Sequence, residues 1–169
     1  MIRRINVFGG PGIGKSTTAA HIFYELKKKN LEVDWIQESA KQWTYLERKP
    51  LGWSDQFHLF AKNLHEEEVA LRKLQYVVCD APMLMHCYYS KKANNPYLPH
   101  LIATTEQYEK QFPSLNLFLT RGNWEYSNTG RFQTEIEAKK MDQEIKEFLE
   151  DKIELINYSN NMSIFSYLK

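Results

Sequence analysis

The sequence predicts an α/β fold, a parallel sheet flanked by helices and opened by a phosphate-binding loop. Three observations predict it. The stretch Gly9-Gly10-Pro11-Gly12-Ile13-Gly14-Lys15-Ser16 fits the pattern G-x-x-x-x-G-K-[ST]. A short apolar run precedes that stretch and a helical pattern follows it. Further along, apolar runs keep alternating with helical stretches, as they do in βα units.

Taken in order, residues 2–8 carry Ile5, Val7 and Phe8 and read as the first strand. Residues 15–29 place Ala19, Ala20, Ile22, Phe23 and Leu26 at helical spacing, with an end near Asn30. Residues 31–36 form a second strand leading to Glu38 and Ser39. Residues 40–53 combine Trp43, Tyr45 and Trp53 with Lys41, Arg48 and Lys49, and Pro50 and Gly52 break any helix there. Ser54 is the expected N-cap of a helix running to about residue 75. Its stripe holds Phe57, Phe60, Ala61, Leu64, Leu71 and Leu74, interrupted by Glu66-Glu67-Glu68, expected to be a solvated turn. Residues 76–80 are a buried strand closed by Asp80, and Ala81-Pro82 stops it. Residues 88–99, rich in Tyr, Lys, Asn and Pro, are expected as a loop or lid. A helix over 100–111, a strand over 115–119, a polar loop over 122–132, a helix over 134–150 and a strand over 152–157 complete the pattern, with a short helix or edge strand in the tail.

Composition narrows the function classes. Hydrophobic residues make up 43% and charged residues 25%, ordinary values for a globular domain. One domain of this length buries about 70% of its unfolded surface without staples. The cysteines, Cys79 and Cys87, are too few for a disulfide framework or a four-ligand zinc site, which fits a reducing cytoplasm. The five histidines show no metal-ligand spacing. The net charge of +1 does not announce a nucleic-acid binder, although residues 1–50 hold nine Lys/Arg against five Asp/Glu. No apolar run is long enough to span a membrane, and the chain enters its first strand without a leader.

The chemistry-bearing residues follow from the loop. Gly9, Gly10, Pro11, Gly12, Ile13, Gly14, Lys15, Ser16 and Thr17 are the expected nucleotide contacts. Backbone N–H groups gather round an anion, Lys15 reaches the β- and γ-phosphates, and the helix adds its N-terminal dipole. Ser16 and Asp80 are the expected Mg²⁺ ligands, since a hydroxyl and a strand-end carboxylate are hard oxygen donors. In an open parallel sheet the strand C-termini face the ligand crevice, so Glu38 and Asp80 point to one place. Either can orient or deprotonate an attacking hydroxyl, and the sequence leaves both open. Arg121 and Arg131, after the fourth strand and in the next loop, are suited to the charge that spreads over a transferring phosphoryl group. Lys41, Trp43, Arg48 and Trp53, with Glu38, are the expected acceptor contacts. Their aromatic rings could stack on a flat acceptor, and each ring has ordinary packing as its alternative.

A resemblance then becomes visible. GGPGIGKSTTAA over 9–20, IQESAK over 36–41, VVCDAPML over 77–84, FLTR over 118–121 and GRFQTEIEAKKMDQEIKEFL over 130–149 span most of the chain. Together they resemble small P-loop kinases often encoded by bacteriophages. These are similar to the kinase part of ribosylnicotinamide kinases and to phage kinases acting on 5-hydroxymethyluracil in DNA. The resemblance implies a five-stranded parallel sheet of order 2-3-1-4-5, ATP and Mg²⁺ as cofactors, and an arginine-bearing lid. It also implies a hydroxyl acceptor: first the 5-hydroxymethyl group of modified pyrimidine in DNA, otherwise a free nucleoside, nucleotide or ribosylnicotinamide. No sensor region or helicase core is visible, which separates the pattern from a motor ATPase. A nucleotide-operated switch or slow ATPase is the competing class, and no residue stands out to position water for it.

Overall fold

The first strand, β1 (Arg4–Phe8), turns Ile5 and Val7 to one side and Arg4, Asn6 and Phe8 to the other, and all five are buried. A strand covered on both faces belongs in the middle of a sheet. The computed structural model places it there. It describes residues 2–45, 52–122, 125–127, 133–159 and 161–168, with the side chains of Lys41, Gln42 and Thr44 also outside the description. β1 is joined by β2 (Val33–Ile36), β3 (Tyr76–Cys79), β4 (Ser114–Leu119) and β5 (Ile156–Tyr158) in the order β2-β3-β1-β4-β5. Every pairing is parallel, with Arg4 opposite Val77 on one side and Ser114 on the other.

Helices cover both faces. On one, α1 (Lys15–Lys28) buries Ala19, Ile22 and Leu26 against Ile5, Val7, Val78 and Leu117. The tail adds Ile164, from a 3-10 turn at Ile164–Ser166, to the same core. On the other face lie α3 (Trp53–Leu71), α4 (Met83–Lys92), α5 (Leu98–Gln111) and α6 (Glu135–Glu150), contributing Phe60, Cys87, Tyr88, Leu101, Tyr108 and Ile145 around Phe8 and Phe118. A short helix, α2 (Ala40–Tyr45), follows β2. Helix α6 starts on a reciprocal cap. Thr134 Oγ1 accepts from Glu137 N at 3.3 Å and Glu137 Oε2 accepts from Thr134 N at 2.7 Å. Among the described residues no helix is long and apolar enough to cross a membrane.

Four expectations change. Residues 83–92, half of them expected as loop or lid, are helix α4. Met83 to Tyr88 are all buried, so the helix has no polar face and no amphipathic period to read. Glu66-Glu67-Glu68 is continuous helix within α3 and not a solvated turn, because Glu67 is fully buried against Arg4. The N-cap of α3 is Gly52 rather than Ser54, with Asp55 Oδ2 accepting from Gly52 N at 3.1 Å. The buried stripe of α3 runs through Gln56, Leu59, Phe60, Asn63, Glu67 and Leu71, which leaves Phe57 exposed.

Candidate active site

The phosphate loop leaves β1 at Phe8 and enters α1 at Lys15. Gly14, the N-cap of α1, has φ 98, and Gly9 has φ 143. Both values belong to glycine, and they curl the loop back over the helix N-terminus. Ile13 seals the loop from below, buried with α1. The Lys15 ammonium donates to the carbonyls of Gly9 at 2.9 Å and Gly10 at 3.0 Å. Burial lowers the Lys15 pKa. The nearby Glu38, Asp80 and Asp142 carboxylates push it back up in part, and Arg121 lowers it further. One ammonium thus sits within electrostatic reach of three carboxylates and a guanidinium at the strand ends.

Asp80 follows β3 and is 1% exposed. Its Oδ1 accepts from the Glu38 backbone N–H at 2.9 Å, which ties the end of β2 to the end of β3. Glu38 is partly exposed, and its charge raises the pKa of Tyr89, which burial has already raised. Tyr126, in the stretch after β4, also raises Tyr89 and donates from its hydroxyl to the Gln133 carbonyl at 2.9 Å. Arg121, just past β4, reaches across to the loop: NH2 donates to the Pro11 carbonyl at 2.9 Å. It also clasps Asp142 of α6, Nε to Oδ2 at 2.7 Å and NH2 to Oδ1 at 3.0 Å.

A family model described as an AAA domain matches residues 4–163, nearly the whole chain. The chain belongs to the AAA domain family. No curated protein matches this AAA domain chain in sequence. Among solved structures, that of a deoxyadenosine kinase from M. mycoides, with the products dCMP and a flexible dCDP bound, aligns with a TM-score of 0.56. It is 15% identical, and the alignment covers 96% of this chain and 93% of that one. APE1195 aligns at a TM-score of 0.49 and 17% identity, covering 99% of this chain and 92% of that one. The sheet order and the P-loop NTPase fold expected from the sequence are those of this AAA domain protein.

Of the expected site residues, the loop from Gly9 to Ser16, Glu38, Asp80 and Arg121 meet at one end of the sheet. Thr17 is exposed on the first turn of α1. Trp43 is half-buried and stacks on His58 of α3, ring centroids 5.9 Å apart at 15°. Trp53 is 43% exposed and leans on Tyr97 at 5.6 Å, so it lies on the surface. Arg48 and Arg131 lie outside the described residues, as does the side chain of Lys41. The donors assigned to Mg²⁺, Ser16 and Asp80, are all oxygen. Among the described residues no cluster of three or more His, Cys, Asp or Glu could cage a metal by itself. Few protein ligands with phosphate oxygens completing the shell is the arrangement Mg²⁺ takes, so these residues fit that ion.

Two buried or half-buried polar residues escaped the sequence reading. Asp142 looks like one more acid on a charged helix, and only the packing of α6 against the loop reveals its place. Gln56 is the other. On the buried stripe of α3, Glu67 meets Arg4 near the start of the sheet, and Asn63 accepts from Cys79, the last residue of β3, at 3.5 Å. Seven residues earlier, about 10 Å further along the helix, Gln56 lies on the same buried stripe. It is buried, and its Oε1 has no partner among the described residues.

Proposed function

We propose that the protein is an ATP-dependent kinase that transfers the γ-phosphoryl group to a hydroxyl of a nucleobase- or nucleoside-type acceptor. The observation that carries this reading is the Glu38–Asp80 tie. It ties the end of β2 to the end of β3, and the Glu38 and Asp80 carboxylates both lie within electrostatic reach of Lys15. A carboxylate beside a phosphate loop suits deprotonation of an acceptor that attacks the bound triphosphate.

Asp80 is buried and accepts the Glu38 N–H, and Glu38 is partly exposed. We therefore assign Glu38 as the base and Asp80, with Ser16, as the metal-side ligand. Mg²⁺ held by Ser16 and Asp80 would supply positive charge to neutralise the triphosphate. The acceptor oxygen attacks the γ-phosphorus, its proton passes to the Glu38 carboxylate, and the bond to the bridging oxygen breaks with ADP as the leaving group. Lys15 and Arg121 offset the negative charge that spreads over the phosphoryl oxygens, and Arg131 is assigned the same role from the lid. The buried, unpartnered Oε1 of Gln56 on α3 would suit an N–H edge of a base if the acceptor reaches that stripe.

The acceptor proposed first is the 5-hydroxymethyl group of 5-hydroxymethyluracil in DNA, on the basic and aromatic 40–53 segment. The alternative is a free nucleoside, nucleotide or ribosylnicotinamide, and the structural likeness to a deoxyadenosine kinase favours that side. Transfer of radiolabelled γ-phosphate to a panel of these acceptors tests the reading. One acceptor should be labelled, and Lys15→Ala should abolish the transfer. Glu38→Gln should slow kcat by about 10²- to 10⁴-fold. ATP hydrolysis that proceeds at the same rate whatever the acceptor, with no labelled product, would overturn the kinase in favour of a switch or ATPase.

A further inference from the structure

The contact between Arg121, Asp142 and the phosphate loop is more than an ion pair. The pair is sheltered, at 14% and 18% exposure. Asp142 Oδ1 takes a bond from Arg121 and also accepts the Gly10 backbone N–H at 2.9 Å. Arg121 binds the carboxylate through one edge of its guanidinium, Nε and NH2, and NH2 also reaches the Pro11 carbonyl. Its NH1 group has no partner among the described residues. Helix α6 comes so close that a Cβ on Gly10 would stand 2.2 Å from Asp142 Oδ1 and 3.0 Å from the Ala138 carbonyl. A carboxylate that only held a helix to a sheet would not need a main-chain N–H of the phosphate loop. Nor would it hold, by one edge alone, an arginine that can bind phosphate with the other.

We propose that Asp142 is a positioning residue of the nucleotide site. It fixes the outer limb of the loop through Gly10 and holds Arg121 edge-on, so that NH1 remains for an oxygen of the bound triphosphate. The proposal rests on the nucleotide-binding reading above. Because the phosphate loop and α6 share this one carboxylate, filling the loop and seating α6 are coupled.

Calorimetric titration of the full-length protein with ATP and Mg²⁺ tests it through a double-variant cycle. Asp142→Asn keeps an oxygen for the Gly10 N–H and loses the fork to Arg121, and should weaken ATP binding about 10-fold. Arg121→Ala should weaken it by at least as much. The double variant should bind no worse than Arg121→Ala alone, because the aspartate acts through the arginine. Arg121→Lys keeps an ion pair with Asp142 and drops the second guanidinium edge, so it should lose affinity with little change in Tm. Glu144→Gln, on the same helix but bonded to Tyr88 and Lys92, should bind as the wild type does. Wild-type affinity in Asp142→Asn or in Arg121→Lys, or losses that add in full in the double variant, would overturn the proposal. Binding that Lys15→Ala leaves intact, or a wild-type protein that binds no ATP, refutes the nucleotide reading itself and this proposal with it.

Discussion

Glu67→Ala is the substitution whose cost the structure defines best. Arg4 and Glu67 are 2% and 0% exposed and meet at 2.7 Å, with Asn63 Nδ2 donating to the other carboxylate oxygen at 2.8 Å. Burial works against the Arg4 charge, yet Glu67 and Glu109 together hold its pKa above the ordinary value. Deleting the Glu67 carboxylate strands a guanidinium in the core, and breaking a buried pair from one side costs about 3–5 kcal/mol. Arg4 keeps Glu109 at 2.8 Å, the Phe112 carbonyl at 3.0 Å and the face of Tyr108 at 4.6 Å. These surviving partners place the expected loss near the lower bound, about 3 kcal/mol. At about 2–4 °C per kcal/mol for a domain of this size, Tm falls by roughly 6–12 °C. The control is Glu68→Ala, one residue on, whose exposed pair with Arg72 should be worth less than about 1 kcal/mol. Urea unfolding followed by circular dichroism, with equal m-values, gives both numbers. Equal small losses at the two positions would refute the buried placement of Glu67.

Two further outcomes follow from the same geometry. His86 is buried, and burial pulls its pKa from 6.5 to about 4, against the partial support of the Ala81 backbone. The native state therefore stays unprotonated between pH 6.5 and 4 while the unfolded chain takes up a proton. Stability from this group is complete above pH 6.5 and declines by about 2–3 kcal/mol towards pH 4. His86→Leu should flatten that part of the pH–stability curve measured by urea unfolding, and an unchanged slope would contradict it. Gly10→Ala must push α6 or the Asp142 side chain away, since its Cβ would lie 2.2 Å from Asp142 Oδ1. It should lose about 1–3 kcal/mol of stability. Adding Asp142→Ala should restore part of that loss, with a coupling of about 0.5–3 kcal/mol in the double-mutant cycle. Strict additivity would show that the close approach is absent.

The sequence alone determined the loop, the helix after it, and the alternation that makes the sheet parallel. Those features rest on local chemistry: glycines at positive φ, a lysine and serine at fixed offsets, and β-branched runs between helices. Glu38 and Asp80 were legible because a carboxylate that closes a strand in such a sheet has one place to go. Arg121 was legible as a cation just past the fourth strand, though not as one arm of a clasp on the loop. What only the tertiary structure decided are contacts made across the chain. Helix α4 carries no periodic signal, since it is covered all round, and Glu67 reads as solvated until Arg4, 63 residues away, is packed against it. Asp142 takes its meaning from the Gly10 N–H and the Arg121 guanidinium it binds, both far from it in sequence. A local pattern reports backbone preference and solvent-facing period. It carries no information about which distant group will share a buried charge or a main-chain N–H.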